Sequence, residues 1–346
     1  MRILIRATNW VGDAIMALPA LLATRAKFPE AHIAIVARPY VADLYRQQGI
    51  CDELIPYDPQ DLHRGWRGRE ALARELRAKN FDVALLLQNA FDAAWLVWRA
   101  GVPERIGYAR DGRGVLLTKA VRVPRKGEIP PHERFYYLEL LRRAGWIDRL
   151  QDDKHIALRV PDAARHTALR TLVEAGARPR AMRLAIGAGA SYGSAKCWPP
   201  DRFAKAINEF QSQFDVDVIL FGTGAESAVS SAIAAELRRP SIDLVGKTLI
   251  ADLPALLSQC HLFLGNDSGA MHVAAAVGLP IVAIFGSTDP EGTAPVAPRA
   301  TLVQQKPYCS PCFLRRCPTD HRCMTAVTPT MVEAALRLRF SEVHSV

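Results

Sequence analysis

Between Phe263 and Pro290 the chain reads FLGNDSGAMHVAAAVGLPIVAIFGSTDP, with its polar residues where an apolar strand gives way to a helix of small residues. Backbone N–H groups in the first turn of such a helix lack intrahelical acceptors and carry partial positive charge. Asp267, Ser268 and Gly269 stand at that turn, and His272 lies one helical turn past Ser268 on the same face. Holding an anion, above all a ligand phosphate, is the chemistry this pattern serves. Asp267 or Ser268 acting as a plain helix cap would account for the turn. It would leave His272 and the second glycine-bearing strand end, Phe285-Gly286-Ser287, without a purpose.

Two further turns carry chemistry-bearing residues. Gly187-Ala-Gly189-Ala-Ser191-Tyr192-Gly193-Ser194-Ala195-Lys196 opens out of a strand, and Lys196 offers a mobile positive charge for phosphate. Its glycines are spaced G-x-G-x-x-x-G, one residue off the dinucleotide fingerprint, which disfavours a nicotinamide site. Near the N-terminus, Asn9-Trp10-Val11-Gly12-Asp13 sets a carboxylate at a helix start in a loop made apolar by Trp10 and Val11. That setting raises a carboxyl pKa and suits Asp13 to general-base work, with simple helix capping as the alternative.

Two other patterns are decoys. Gly246-Lys247-Thr248 lacks the glycine that a P-loop needs at position 241, where Ser stands. Asp215-Val-Asp217 has the form of a carboxylate pair for a metal-bound nucleotide sugar, yet it precedes Val218-Ile219-Leu220 and so sits at the strand's entry, away from the ligand end.

The elements that position these turns alternate. Strands at Arg2–Ala7, His32–Ala37 and Phe81–Leu87 are interleaved with helices at Ala14–Phe28 and about Arg64–Lys79, and Glu133–Ala144 closes this half. After a less patterned stretch with a helix near Ala163–Glu174, a second series follows. Its strands are Leu184–Ile186, Val216–Phe221, His261–Leu264 and Ile281–Phe285. Near-continuous apolar strands alternating with helices predict α/β domains built on doubly wound parallel sheets. We expect an N-terminal Rossmann-like domain over 1–165, a C-terminal one over 166–328, a cleft between them, and a helix in 329–346 running back onto the first.

Length, charge and cysteines narrow the function classes. At 346 residues two domains are the default. No uninterrupted apolar run approaches the roughly 18 residues of a membrane span, and no signal peptide is evident, so a soluble cytoplasmic protein is expected. The net charge of +9 is unevenly spread: residues 1–150 hold 24 Lys and Arg against 17 Asp and Glu. Such a surplus favours anionic partners, whether nucleic acid, lipid head groups or phosphorylated sugars. Nucleic acid is disfavoured because neither stacking aromatics nor a recognition helix stands out. Four of the seven cysteines crowd together as Cys309, Cys312, Cys317 and Cys323, with His321 between the last two. A zinc site using the first three with Cys323 or His321 is one reading, and free or redox-labile thiols in a surface loop the favoured one.

Taken together, NWVGD, GAGASYGSAKCWP, LFGTGAE and NDSGAMHVAAAVGLP resemble the ADP-heptose:lipopolysaccharide heptosyltransferases (glycosyltransferase family 9) over nearly the whole chain, most of all the heptosyltransferase II branch. The resemblance implies a GT-B fold, ADP-heptose as donor and the inner-core heptose of Kdo-lipid A as acceptor, with heptose I or III as alternative positions. It also implies inversion at the anomeric carbon, no required metal, and a monomeric enzyme peripheral at the inner leaflet of the inner membrane. The family's catalytic aspartate falls on Asp13, its phosphate lysine on Lys196, and its D-[ST]-G-x-x-H on Asp267, Ser268, Gly269 and His272. Gly187 and Gly222 are expected beside the donor. Asn9, Trp10, Arg64, Arg67, Arg110 and Arg113 are expected to meet the anionic acceptor. One departure is Cys197, at a position that is often arginine.

Overall fold

The computed structural model describes residues 1–344. The chain divides into two compact units, the first over Met1–Asp153 and the second from Lys154 onward. The break thus falls before the expected 165/166 boundary, because the chain from Lys154 already packs with the second unit: Ile156 N–H donates to the Val296 carbonyl and Leu158 N–H to that of Ala276.

The first unit runs β1 (Arg2–Arg6), α1 (Val11–Met16), α2 (Leu18–Lys27), β2 (His32–Ala37), α3 (Pro39–Tyr45), β3 (Glu53–Pro56), α4 (Gly65–Ala78), β4 (Val83–Leu86), α5 (Phe91–Arg99), β5 (Glu104–Tyr108), β6 (Lys119–Val121) and α6 (Glu133–Ala144). Among the described residues its strands form one six-stranded parallel sheet in the order β3-β2-β1-β4-β5-β6. Ile3, Leu4 and Ile5 of β1 are fully buried, as a central strand covered on both faces requires. On one face, Leu72 and Leu76 of α4 and Ala93 and Val97 of α5 pack with Leu4, Ala34 and Leu86. The helix expected over Ala14–Phe28 is two. α1 stops at Met16, and α2 restarts at Leu18 with Pro19 in its first turn, where a missing N–H costs nothing.

The second unit runs α7 (Asp162–Glu174), β7 (Met182–Gly187), α8 (Pro200–Gln213), β8 (Val216–Leu220), α9 (Ser227–Glu236), β9 (Ile242–Asp243), α10 (Leu253–Leu257), β10 (Leu262–Asn266), α11 (Gly269–Ala276), β11 (Ile281–Phe285), α12 (Pro290–Thr293), β12 (Ala300–Gln304), α13 (Arg322–Thr325) and α14 (Pro329–His344). Its parallel sheet, again six-stranded among the described residues, has the order β12-β11-β10-β7-β8-β9. Both units therefore share one winding, with the order reversing at β1/β4 and at β7/β10. Such reversals open a crevice at the carboxyl ends of the two strands, the usual ligand position in these sheets. The C-terminal helix closes the second unit's own core. Phe340 of α14 packs against Phe210 and Phe214 of the α8 region, with ring centroids 5.3 and 4.7 Å apart.

Candidate active site

The reversal at β7/β10 gathers the residues the sequence singles out. The loop after β7 carries Lys196, and the turn after β10 carries Asp267 and Ser268. Lys196 Nζ lies 2.6 Å from Asp267 Oδ2, and Thr288, just past β11, donates its hydroxyl to the same oxygen at 2.7 Å. Asp267 and His272 are each 4% exposed, so the carboxylate is held in a setting where an unpaired charge would be costly. Lys196 also stands over the Tyr192 ring, 5.1 Å from its centroid. The two ends of the crevice are strapped by one side chain. Asn266 Nδ2 donates to the Ala188 carbonyl at 2.6 Å, while Asn266 Oδ1 accepts from Trp198 N–H at 3.0 Å.

Ser268 occupies the N-cap of α11, yet its hydroxyl makes no capping bond. Its Oγ is buried without a hydrogen-bond partner, and so is Ser287 Oγ. Buried hydroxyls are rarely left so, which makes the pair an unused donor set beside the Lys196 ammonium and the open N–H groups of α11. A plain cap does not describe this turn.

Gly187 has a different use from the one expected. A Cβ there would come within 2.7 Å of the Phe263 ring, so its small size serves strand packing. Gly222 and Gly189 instead make room for a carboxylate that the sequence reading missed: a Cβ on Gly189 would overlap Glu226 Oε1 at 1.7 Å, and one on Gly222 would meet Oε2 at 2.8 Å. Glu226 Oε2 accepts from the Thr223 N–H at 2.7 Å in a capping box that starts the helical turn Gly224–Glu226. Around it lies a mostly apolar hollow lined by Ile186, Ala188, Leu220, Phe221 and Val245. The enclosed space is only about 10 Å³, room for about one water and too small for a ligand group as it stands. The clue in the sequence was the pair Gly189 and Gly222, which leave room around one acid.

Asp215 and Asp217 are both committed to Arg178, at 2.7 and 2.8 Å, at the entry of β8. They are not a metal-binding pair. The segment 309–323 packs against the Lys196 loop: Ala195 N–H donates to the Arg315 carbonyl, Tyr192 hydroxyl to that of Phe313, and His321 Nε2 meets the Ala195 carbonyl at 3.0 Å. Cys312 and Phe313 N–H groups both donate to the Ser287 carbonyl. All seven cysteines are free thiols. Burial, and then charge on Cys312, Cys309 and Cys317, pushes the Cys323 thiol up. Among the described residues, no three His, Cys, Asp or Glu side chains are grouped to hold a metal ion.

In the first unit, Asp13 stands in the first turn of α1, after the carboxyl end of β1. Burial raises the Tyr45 and Tyr137 phenols, and the Asp13 charge adds to both, which places the carboxylate within electrostatic reach of two buried rings. Asn9 braces this loop, accepting from Arg6 Nη2 through Oδ1 and from the Tyr40 hydroxyl through its carbonyl, both at 2.8 Å. Trp10 is exposed, as are Arg64 and Arg67. Arg110 pairs with Asp111 at 3.4 Å and keeps 46% of its side chain exposed. Arg113 departs from expectation. It is fully buried, and its guanidinium donates to the carbonyls of Tyr108 and Gln88 and, at 2.8 Å, to Asn89 Oδ1. Burial draws it down to about 10. It fastens strand ends and presents no face to an acceptor.

Two Rossmann-like sheets, with a carboxylate at one strand-order reversal and a cationic, hydroxyl-lined turn at the other, define a glycosyltransferase of the GT-B class. The sequence profile of glycosyltransferase family 9 (heptosyltransferase) matches residues 69–322. The chain belongs to that family. It is 28% identical over 312 residues to lipopolysaccharide heptosyltransferase 2 of Escherichia coli K12, covering 88% of each chain. It is also 28% identical over 318 residues to lipooligosaccharide heptosyltransferase 2 of Haemophilus influenzae, again covering 88% of each. Among solved structures, it matches the ADP-heptose lipopolysaccharide heptosyltransferase II of E. coli with a TM-score of 0.83 at 26% identity over 99% of both chains.

Proposed function

We propose that this protein transfers L-glycero-D-manno-heptose from ADP-heptose to the inner-core heptose of Kdo-lipid A, with inversion at the anomeric carbon. The observation that carries the reading is the buried Lys196–Asp267 pair with two unpartnered hydroxyls, Ser268 at the start of α11 and Ser287 just past β11. An ammonium, free hydroxyls and helix N–H groups together are the donors that an anionic phosphate ligand needs. The names of the matched relatives supply heptose and the lipopolysaccharide core. Glu226, beside the turn after β8, offers a carboxylate able to accept the hydroxyl protons of a ribose.

In the step itself, the Asp13 carboxylate takes the proton of an acceptor hydroxyl as that oxygen bonds to the donor's anomeric carbon. The bond from that carbon to the diphosphate oxygen breaks, and ADP leaves with the electron pair. Lys196, the Ser268 hydroxyl and the N–H groups opening α11 stabilise the charge that develops there. His272 and Asp267 orient the donor, Asp267 by holding Lys196. Asn9, Trp10, Arg64, Arg67 and Arg110 serve the acceptor, whose Kdo carboxylates and phosphates match the positive surplus of residues 1–150. No helix among the described residues is long and apolar enough to cross a membrane.

The test incubates the protein with ADP-heptose and lipid A precursors truncated after each core sugar, and weighs the products by mass spectrometry. One added heptose on the acceptor ending in the first heptose is expected. Transfer only to Kdo-terminated lipid A, or only beyond the second heptose, would move the acceptor assignment. No transfer to any of them would end it.

A further inference from the structure

The first unit carries an outer face whose composition its fold does not require. α5 buries Ala93, Ala94, Leu96 and Val97 and places Phe91, Trp95 and Trp98 on its other side. The spacing i, i+4, i+7 keeps these three aromatics within an arc of about 60°. Trp66, in the first turn of α4, stacks against Trp95 with centroids 5.0 Å apart and remains 63% exposed. Leu62, just ahead of α4, is 70% exposed, and Val115, in the turn Arg113–Leu116 packed on α5, is 88% exposed. Monomeric soluble proteins seldom leave so much large apolar surface together without a partner.

The charges around this face select the partner. Arg64 and Arg67 flank Trp66 and are exposed, and residues 62–77 hold five arginines against two glutamates. Two of the nearby acids are engaged, Glu70 taking both carboxylate bonds to Arg99 and Asp92 accepting from the Tyr57 hydroxyl at 3.1 Å, while Asp61 and Glu75 are exposed and leave the arginines in excess. We propose that this aromatic and arginine-rich face docks on a bilayer with anionic head groups. Indole rings settle at the head-group level while arginines meet lipid phosphates. A second copy of the chain fits poorly, since a two-fold contact would set Arg64 and Arg67 against their own counterparts. Topology adds a reason for the location. Leu62, Trp66, Phe91 and Val115 all follow the carboxyl ends of β3, β4 and β5, the sheet edge from which the Asp13 loop also emerges. The inference rests on the reading that the acceptor is lipid-anchored, but it is tested without catalysis.

The experiment is co-sedimentation of the full chain with vesicles of phosphatidylethanolamine and phosphatidylglycerol, or of phosphatidylcholine alone, with neither donor nor acceptor present. The chain is expected to pellet with the anionic vesicles, less so at high salt. Trp66→Ser should lower partitioning about tenfold or more. Leu62→Asp and Val115→Asp, at sites too exposed to matter for folding, should act in the same direction. Equal pelleting of all three variants and parent, or a parent that stays in the supernatant, would overturn the proposal. So would a dimer in sedimentation velocity that the variants abolish, since the face would then belong to a second copy. Heptose transfer to a water-soluble core acceptor reports separately on the activity.

Discussion

Lys196→Met separates the structural and the ligand-binding roles of one ammonium group. Lys196 and Asp267 meet at 2.6 Å with side chains only 14% and 4% exposed. Methionine keeps the apolar stem and removes the charge, leaving a buried carboxylate with the Thr288 hydroxyl still bonded to it. Removing one partner of a buried ion pair costs about 3–5 kcal/mol, and the retained hydroxyl argues for the lower end. For a unit of this size about 3 kcal/mol lowers the melting temperature by roughly 6–12 °C. Asp267→Asn added to Lys196→Met should restore most of that loss, because the stranded charge is gone. ADP affinity should not recover. A charge-assisted contact to diphosphate contributes about 1.5–3 kcal/mol, so both the single and the double variant should bind ADP roughly 10- to 150-fold more weakly. Differential scanning fluorimetry and calorimetric titration with ADP read the two effects on the same samples. A single variant that melts with the parent would refute the buried-pair argument, and an unchanged ADP Kd would refute the phosphate role.

Asp13→Asn should cut turnover by about 10²–10⁴ while ADP binds as before, and near-parental turnover in an ADP-release assay would remove Asp13 as the base. Asn266→Ala should orphan the Trp198 N–H and the Ala188 carbonyl at about 1–3 kcal/mol each. Hydrogen exchange should then speed up across residues 188–198, and unchanged protection there would refute the strap. Glu133 has its carboxyl raised by burial, partly offset by the Arg110 charge, so the folded state holds this proton more tightly than the unfolded chain. Its stabilising share is complete below the unfolded carboxyl pKa near 4.5 and is lost as pH rises through the folded value. Glu133→Gln should therefore flatten the fall in urea midpoint between about pH 4 and pH 7, and an unaltered slope would contradict the shift.

Central strands were plain in the sequence because burial on both faces forces unbroken apolar runs such as ILI in β1 and IVAIF in β11. Edge strands lack that constraint. ELIP of β3 and KAV of β6 each carry a charge and read as loops until their neighbours pair with them. Site residues on turns between strand and helix were visible for a similar reason: Lys196, Asp267 and Ser268 interrupt apolar patterns where polarity has no local structural use. Arg113 shows the limit. Its charge suggested a ligand, but the direction of its guanidinium depends on the carbonyls of Tyr108 and Gln88, which no local pattern encodes. Glu226 shows the converse, an ordinary helix-capping acid locally, given meaning by Gly189 more than thirty residues earlier.

The Lys196 loop is held by carbonyl and imidazole contacts from residues that follow it at a separation of up to 126 positions. Protein synthesis proceeds from the N-terminus, so the first unit and most of the second emerge from the ribosome before Phe313, Arg315 and His321 exist. A nascent chain therefore carries the Lys196 loop unbraced until residues 313–321 have been made. Truncated products, whether from premature termination or proteolytic trimming ahead of residue 309, would keep the first unit yet lack the contacts that brace the Lys196 loop.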